Sequence, residues 1–284
     1  MFKTIDLSKL ELVQVQQYLQ AAVAPRPIAL ASTVDIDGNV NLSPFSFFNL
    51  FSTNPPVLIF APNRRLRDGT NKHTYFNAKN THEVVINIVD FSMAEQMSLS
   101  SCEYPSGVNE FVKAGFTQLA SDVIKPPRVK EAKVSFECSV LQVIELGEDS
   151  GAGNLILCKV LKMHIAEEIL NEQGFIDPLK TDWIARSGGD WYVRANQESM
   201  FLLPKPNVKT GVGVDAIPEQ IRILNFFTGN ELGRLGNVDV IPTDKEVNEF
   251  AISCKGDYLT QARKHLKKGD GYSAWKAILA SLKL

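Results

Sequence analysis

Short apolar runs separated by turn residues dominate the first two-thirds of the chain. PRPIALAST, Pro25–Thr33, reads as a turn followed by a strand, and the turn-forming stretch Asp35–Asn39 closes it. Val40–Asn49 then forms the second arm of a hairpin and leads through an aromatic stretch to Asn54-Pro55-Pro56. Val57–Phe60 is a short buried strand bounded by turn residues. Glu83–Val89, Lys133–Leu146 and Leu155–Ile165 continue the series, the last two joined by the turn GEDSGAGN. Helical pieces are predicted in a lead-in ending near Ala22, at Thr74–Lys79 and at Phe91–Ser100. Many strands with few helices between them predict a mainly β fold, an antiparallel barrel with peripheral helices rather than a doubly wound parallel sheet.

The pattern changes near Met200. LLPKPNVKTGVGVDAIPEQ is rich in Pro and Gly, and the tail from Thr243 is charged with helical periodicity. The expected organisation is therefore a barrel domain over residues 1–199 and a C-terminal extension over 200–284, a loop and then helices. No fixed-period repeat, heptad run or low-complexity tract appears.

Composition narrows the setting. Hydrophobic residues at 44% and charged residues at 22% suit a chain that buries a core. Thirty Lys and Arg against 32 Asp and Glu leave a formal charge of -2, which gives no general field for nucleic acid or an anionic membrane, so any anion site must be local. The N-terminal MFKTIDLSKLELVQVQQYL lacks the apolar run of a signal peptide and no stretch reaches membrane-span length, so the expected location is cytoplasmic. Cys102, Cys138, Cys158 and Cys254 lie far apart without a C-x-x-C spacing, which argues against a zinc knuckle or redox dithiol.

Two segments carry candidate chemistry. Asn41–Asn49, NLSPFSFFN, alternates small hydroxyl and amide residues with aromatics, offering hydrogen-bond partners beside flat apolar walls. Taken alone, Phe45, Phe47, Phe48 and Phe51 read as core, because aromatics at mixed spacing usually are. Arg64–Thr74, RRLRDGTNKHT, concentrates cations just before a helix start with Thr74 as its N-cap, an arrangement suited to a phosphate. The alternative is a solvated basic loop, since no P-loop or G-x-G-x-x-G accompanies it. No Ser-His-Asp set, H-E-x-x-H helix or paired catalytic carboxylates stand out, which disfavours a hydrolase or metalloenzyme.

The order of pieces, PRPIALAST, NLSPFSFFN, NPPVLIF, RLRDGTNKHTYFNA and HEVVINIV, continuing through MAEQMSLSSCEYPSGVNEF, KVLKMHIAEEIL and IARSGGDWY, resembles the flavin reductase-like, FMN-binding split-barrel family, which includes flavoredoxin-like proteins. The resemblance implies a homodimeric split β-barrel whose FMN accepts hydride from NADH or NADPH, with a partner monooxygenase or another electron acceptor downstream. It implies equally an FMN-binding electron carrier or flavin store without nicotinamide turnover. Carried over position by position, the ring-binding turn falls on Ser43, Pro44, Phe45, Ser46, Phe47 and Asn49, with Thr33 ending the preceding strand. The phosphate motif, usually Lys-Asp-Thr, reads Lys72-His73-Thr74, so His73 replaces the acid, and Arg67 is the preferred second phosphate ligand over Arg64 and Arg65. Arg186, Gly188, Gly189 and Tyr192 match the terminal segment near the cofactor or the dimer partner. His164 matches a strand histidine able to approach flavin or nicotinamide, although a lone strand histidine reads first as a structural group. No side chain need be essential to hydride transfer, since the cofactor carries that chemistry.

Overall fold

The computed structural model describes residues 1–203, 206 and 210–283. The chain divides into two compact units, Met1–Phe201 and Leu202–Leu284. Part of the expected loop, residues 204, 205 and 207–209, lies outside the described residues.

In the first unit, helix α1 (Leu12–Ala22) precedes strands β1 (Arg26–Pro27), β2 (Ala29–Val34), β3 (Val40–Phe45), β4 (Phe48–Thr53) and β5 (Pro56–Phe60). Helix α2 (His73–Thr81), strand β6 (Glu83–Ile88), helices α3 (Ala94–Leu99) and α4 (Glu110–Ala114), and strands β7 (Gln118–Leu119) and β8 (Arg128–Val129) follow. The long pair β9 (Val134–Glu145) and β10 (Asn154–Ile165), then β11 (Trp183–Arg186) and β12 (Tyr192–Ala195), complete the unit.

Seven strands form one sheet in the order β3-β2-β6-β9-β10-β5-β4, with every pairing antiparallel. The predicted second hairpin arm, Val40–Asn49, is in fact broken at Ser46 and Phe47, and its halves sit at opposite ends of the sheet. Two residues bridge only a few ångströms. The sheet must therefore curl until its two edges meet at this corner, where the Ala61 N–H donates to the Phe47 carbonyl at 2.8 Å and the Phe45 and Phe60 rings lie 5.3 Å apart. Among the described residues no ladder joins β3 to β4, so the expected barrel is a curled sheet left open at one seam.

Alternation sorts the side chains onto two faces. Ala29, Ala31, Phe45, Leu58, Phe60, Val84, Ile86, Cys138, Ile156 and Cys158 form one core, with Ala78 of α2 packed into it. Leu30 and Leu42 point the other way, into a second core with Val89, Met93, Met97 of α3 and Phe111 of α4. These helices stand over the face that carries the cleft described below. A separate small sheet, β1-β11-β12, brings the segment around Arg186 beside the N-terminal strand.

The second unit is helical: α5 (Glu219–Arg222), α6 (Gly229–Gly236), α7 (Asp244–Ser253), α8 (Tyr258–Lys267) and α9 (Gly271–Ser281). Capping boxes start two of them, Thr228 with Glu231 and Thr243 with Glu246. It has its own core around Leu235, Leu266, Ile278 and the fully buried Trp275, whose indole N–H donates to the Leu235 carbonyl at 2.8 Å. Among the described residues no helix is long and apolar enough to cross a membrane.

Candidate functional site

Helix α2 begins one turn after the basic loop, and its start differs from the sequence expectation. Lys72, not Thr74, is the N-cap, in extended conformation, and no side chain caps the helix. Its first N–H groups and the positive end of its dipole therefore remain available to a ligand. Thr74 lies inside the first turn, buried, its hydroxyl accepting a 2.9 Å hydrogen bond from Asn41 Nδ2. A threonine two residues into a helix cannot reach back to cap it, and here it ties α2 to β3 instead.

The Lys72 ammonium stands 5.1 Å from the centroid of the Phe45 ring. It makes no ion pair or hydrogen bond among the described residues, whereas the neighbouring cations are matched. Burial pulls its pKa below the usual lysine value, the positive charge of Arg65 adds to this, and Glu103 opposes it. A half-buried ammonium without a counter-ion is costly unless an anion completes it.

Around it lies a 70 Å³ cavity lined by Asn41, Ser43, Arg65, His73, Ser101 and Glu110, among others. Arg65 is held by Glu103 Oε1 at 3.1 Å, Thr70 Oγ1 at 3.0 Å and the Asn71 carbonyl at 2.8 Å. Arg67, the preferred ligand from sequence, is not part of it. Its side chain is 69% exposed and engaged by Asp68 at 3.0 Å and Glu103 at 2.7 Å, because the turn around Asp68–Gly69 directs it outward. Arg64 turns instead toward the Gly69 carbonyl and Glu145. Glu110 is buried, with Oε2 accepting from the Leu42 N–H at 2.9 Å; burial pushes its pKa up, while that bond and the facing His73 pull it down.

A second cavity of 220 Å³ adjoins the first through Ser101. Pro44, Phe45, Ser46, Met97, Arg186 and Tyr192 are among its walls. The Arg186 guanidinium sits 4.7 Å from the centroid of the Tyr192 ring and donates to the Gly189 carbonyl at 2.9 Å. The cleft thus pairs a cationic pocket with a slot that has apolar walls and a few polar groups, the composition of sites for planar, charged ligands.

Eight of the sequence candidates meet here: Ser43, Pro44, Phe45, Ser46, Lys72, Thr74, Arg186 and Tyr192. The others do not line it. Thr33 is buried and accepts from Asn77 Nδ2 at 3.1 Å. Phe47 faces Arg26, 5.9 Å away, and the Asn49 side chain accepts from the next backbone N–H on the edge strand β4. Gly188 is required by packing: a Cβ there would stand 2.9 Å from Ala21 Cβ in α1. His164 bonds Glu137 Oε1 at 2.7 Å, and the buried Glu137 also accepts from the Asp122 and Val123 N–H groups at 2.8 Å each, which makes His164 part of a structural network. The sequence reading ranks Arg65 behind Arg67 and misses Ser101 and Glu110. Asn41 was signalled by alternation, since residues 41, 43 and 45 share one face of β3.

The family model described as "Flavin reductase like domain" matches residues 22–179, more than half the chain. The chain belongs to the flavin reductase-like family. An uncharacterized protein of Aquifex aeolicus is 40% identical over 173 residues, covering 61% of this chain and 86% of that one. Among solved structures, nitrilotriacetate monooxygenase component B from Bacillus cereus superposes with a TM-score of 0.67 at 30% identity, covering 72% of this chain and 99% of its own. The 2-nitrobenzoate 2-nitroreductase of Pseudomonas fluorescens gives 0.63 at 25% identity, with 72% and 97% covered. A Shewanella frigidimarina protein described as a "putative flavin reductase with split barrel domain", at 0.60 and 25% identity over 70% of this chain and 96% of that one, shares the fold. The flavin reductase-like match contains β2 to β10 and α2, and so the whole cationic pocket.

Proposed function

We propose that this flavin reductase-like protein binds FMN in the cleft and passes hydride from NADH or NADPH to it, as a homodimer. The observation that carries the reading is the Lys72 ammonium, without a direct ion pair or hydrogen bond among the described residues, at the uncapped start of α2, adjoining an apolar-walled slot. A phosphate monoester supplies the missing negative charge, and a flat ring fills the slot.

Bound flavin supplies a two-electron hydride acceptor. The chain's residues bind and orient. Lys72, Arg65 and the first N–H groups of α2 hold the phosphate, and Asn41 keeps Thr74, and with it the helix start, against β3. Phe45, Pro44, Met97 and Tyr192 exclude water from the ring, while Ser43, Ser46 and Ser101 offer hydroxyls along its length. Arg186 adds a fixed positive charge at the slot's wall, where negative charge on a reduced ring is stabilised.

Pairing of two copies is supported by apolar surface on the first unit. Helix α1 has no buried residue yet carries Leu12, Val13, Tyr18 and Leu19, and edge strand β4 exposes Leu50 and Phe51. The likeness to a monooxygenase component B supports delivery of reduced flavin to a partner oxygenase or other acceptor.

The test is anaerobic mixing of FMN-loaded protein with NADH and with NADPH, following loss of visible flavin absorbance. Rapid bleaching supports the reductase and names its donor. Bound flavin that stays oxidised with both donors refutes it in favour of an electron carrier or flavin store.

A further inference from the structure

Arg26 lies on β1, the strand next to β11, and is buried at 6% exposure. Its guanidinium has no ion pair among the described residues and donates only to carbonyl oxygens: those of Gln20, of Val23 at 2.6 Å and of Ser187 at 3.2 Å. Gln20 and Val23 belong to the C-terminal end of α1, where carbonyls lack partners within the helix and the dipole is negative, so the guanidinium closes that end. Ser187 follows β11 directly, in the turn that leads to Tyr192. One side chain therefore ties α1 to the hairpin that supplies Arg186 and Tyr192 to the slot. Gly188 of that turn lies against Ala21 of α1, too close to admit a Cβ, and the Phe47 ring 5.9 Å from Arg26 adds the corner next to Ser46.

The arrangement is costly in charge. Arg26 and Arg186 stand directly opposite one another in the β1–β11 ladder, where like charges destabilise a sheet. Burial holds the pKa of Arg26 below the usual arginine value, and the charge of Arg186 lowers it further. Arg186 also has no ion pair among the described residues; it leans on the Tyr192 ring and donates to the Gly189 carbonyl. A buried cation is ordinarily matched by a carboxylate. Here two guanidiniums meet at one wall of the slot with none, so the balancing charge has to come from what the slot holds. With a phosphate on Lys72, that charge is the one a flavin ring acquires on taking up hydride. Two electrons and one proton enter a neutral ring and leave it an anion, while the nicotinamide departs oxidised.

We propose that Arg26 is a positioning residue for flavin reduction: it fixes Arg186 at the slot wall, and Arg186 so fixed favours the reduced, anionic ring over the oxidised, neutral one. This rests on the flavin reading of the cleft. Arg26 touches neither ring nor nicotinamide and acts through Arg186.

The experiment is the midpoint potential of bound FMN, measured by anaerobic equilibration with reference dyes, in wild type, Arg26→Gln, Arg26→Lys, Arg186→Gln and the double variant Arg26→Gln/Arg186→Gln. Ligand-free melting points are taken alongside. Arg186→Gln and Arg26→Gln are each expected to lower the preference for reduced over oxidised FMN about tenfold, which is about 30 mV for a two-electron couple. Arg26→Lys keeps the charge, but one ammonium does not span carbonyls on two elements as a planar fork does, so its potential should fall nearly as far. The double variant should match Arg186→Gln within about twofold in that preference, because nothing is left to position. A wild-type potential in the Arg26 variants, whatever their melting points, makes Arg26 a residue of the fold alone and overturns the proposal. Effects that add in the double variant overturn it too, since Arg26 then acts without Arg186. If Arg26→Gln does not fold, Arg26→Lys and Arg26→Lys/Arg186→Gln carry the same comparison. Failure of wild type to bind FMN removes the flavin reading instead, a result that does not depend on Arg26.

Discussion

Replacing Lys72 by Ala isolates the interaction on which the site depends. The ammonium is half-buried, unpaired, and next to Arg65, so in the free protein it gives little to stability. Its contact with the Phe45 ring, 5.1 Å from the centroid, is worth about 0.5–1 kcal/mol, which relief from desolvation offsets. The ligand-free melting point is therefore expected to change little. A charge-assisted hydrogen bond to phosphate contributes about 1.5–3 kcal/mol, so the FMN Kd should rise about 10- to 150-fold. Riboflavin has the same ring and no phosphate, and its Kd should move less than about twofold, because no charge-assisted bond is lost. Parallel fluorescence titrations with the two ligands measure this. Equal losses for FMN and riboflavin, or a large drop in ligand-free stability, would refute the reasoning. The proton adds a second signature. With its pKa lowered, folded Lys72 releases its proton before the unfolded chain does, so as pH rises from that lowered value toward 10.5 the ligand-free fold gains stability while FMN affinity falls.

Three further outcomes are expected. Glu110→Gln keeps an oxygen for the Leu42 N–H but removes a carboxylate from the cationic pocket, so FMN should bind about threefold tighter at pH 8 by titration; because burial raises the pKa of Glu110, the accompanying gain in melting point should vanish as pH falls to 4.5 and below. Glu137→Gln breaks a network of two backbone N–H groups and His164, costing about 1.5–3 kcal/mol in urea melts at neutral pH. Burial pushes the Glu137 pKa up but those bonds outweigh it, so the wild-type advantage should shrink as pH falls below 4.5, and a pH-independent difference would argue against this account. Gly188→Ala puts a methyl 2.9 Å from Ala21 Cβ and should destabilise by about 1–3 kcal/mol, with FMN and riboflavin affinities affected alike.

The strands were legible because burial imposes alternation on them: Ala29 and Ala31 face one core while Leu30 faces the other, and this shows in six letters of sequence. The break between β3 and β4 was not legible. NLSPFSFFN has no strong turn residue at Ser46 and Phe47, and what separates the two halves is their pairing with β2 and with β5, partners distant along the chain. The cationic pocket was legible to within a few residues, through the basic run, but not in its detail. Arg65 and Arg67 are two positions apart in one sequence pattern and both pair with Glu103, and only the backbone of the turn they belong to decides that the first lines the cavity while the second is 69% exposed. Thr74 matches the composition of an N-cap, yet its hydroxyl is claimed by Asn41, from a strand thirty-three residues earlier. Glu110 had no local signal, since its place depends on α4 folding back over β3.

The seam at Ser46 and Phe47 has a consequence for how the cleft keeps its width. Elsewhere in the sheet, curvature is spread over hydrogen-bonded ladders that slide and twist together. Here the rims are tied by a covalent strap of two residues, one of which, Ser46, is itself a wall of the slot. The spacing between the walls is thereby set by chain length, a quantity that thermal motion cannot stretch. A residue inserted at this strap would act as a spacer in a hinge, widening the slot and slackening the curl together, whereas the same insertion in the Asp35–Asn39 turn would leave both untouched.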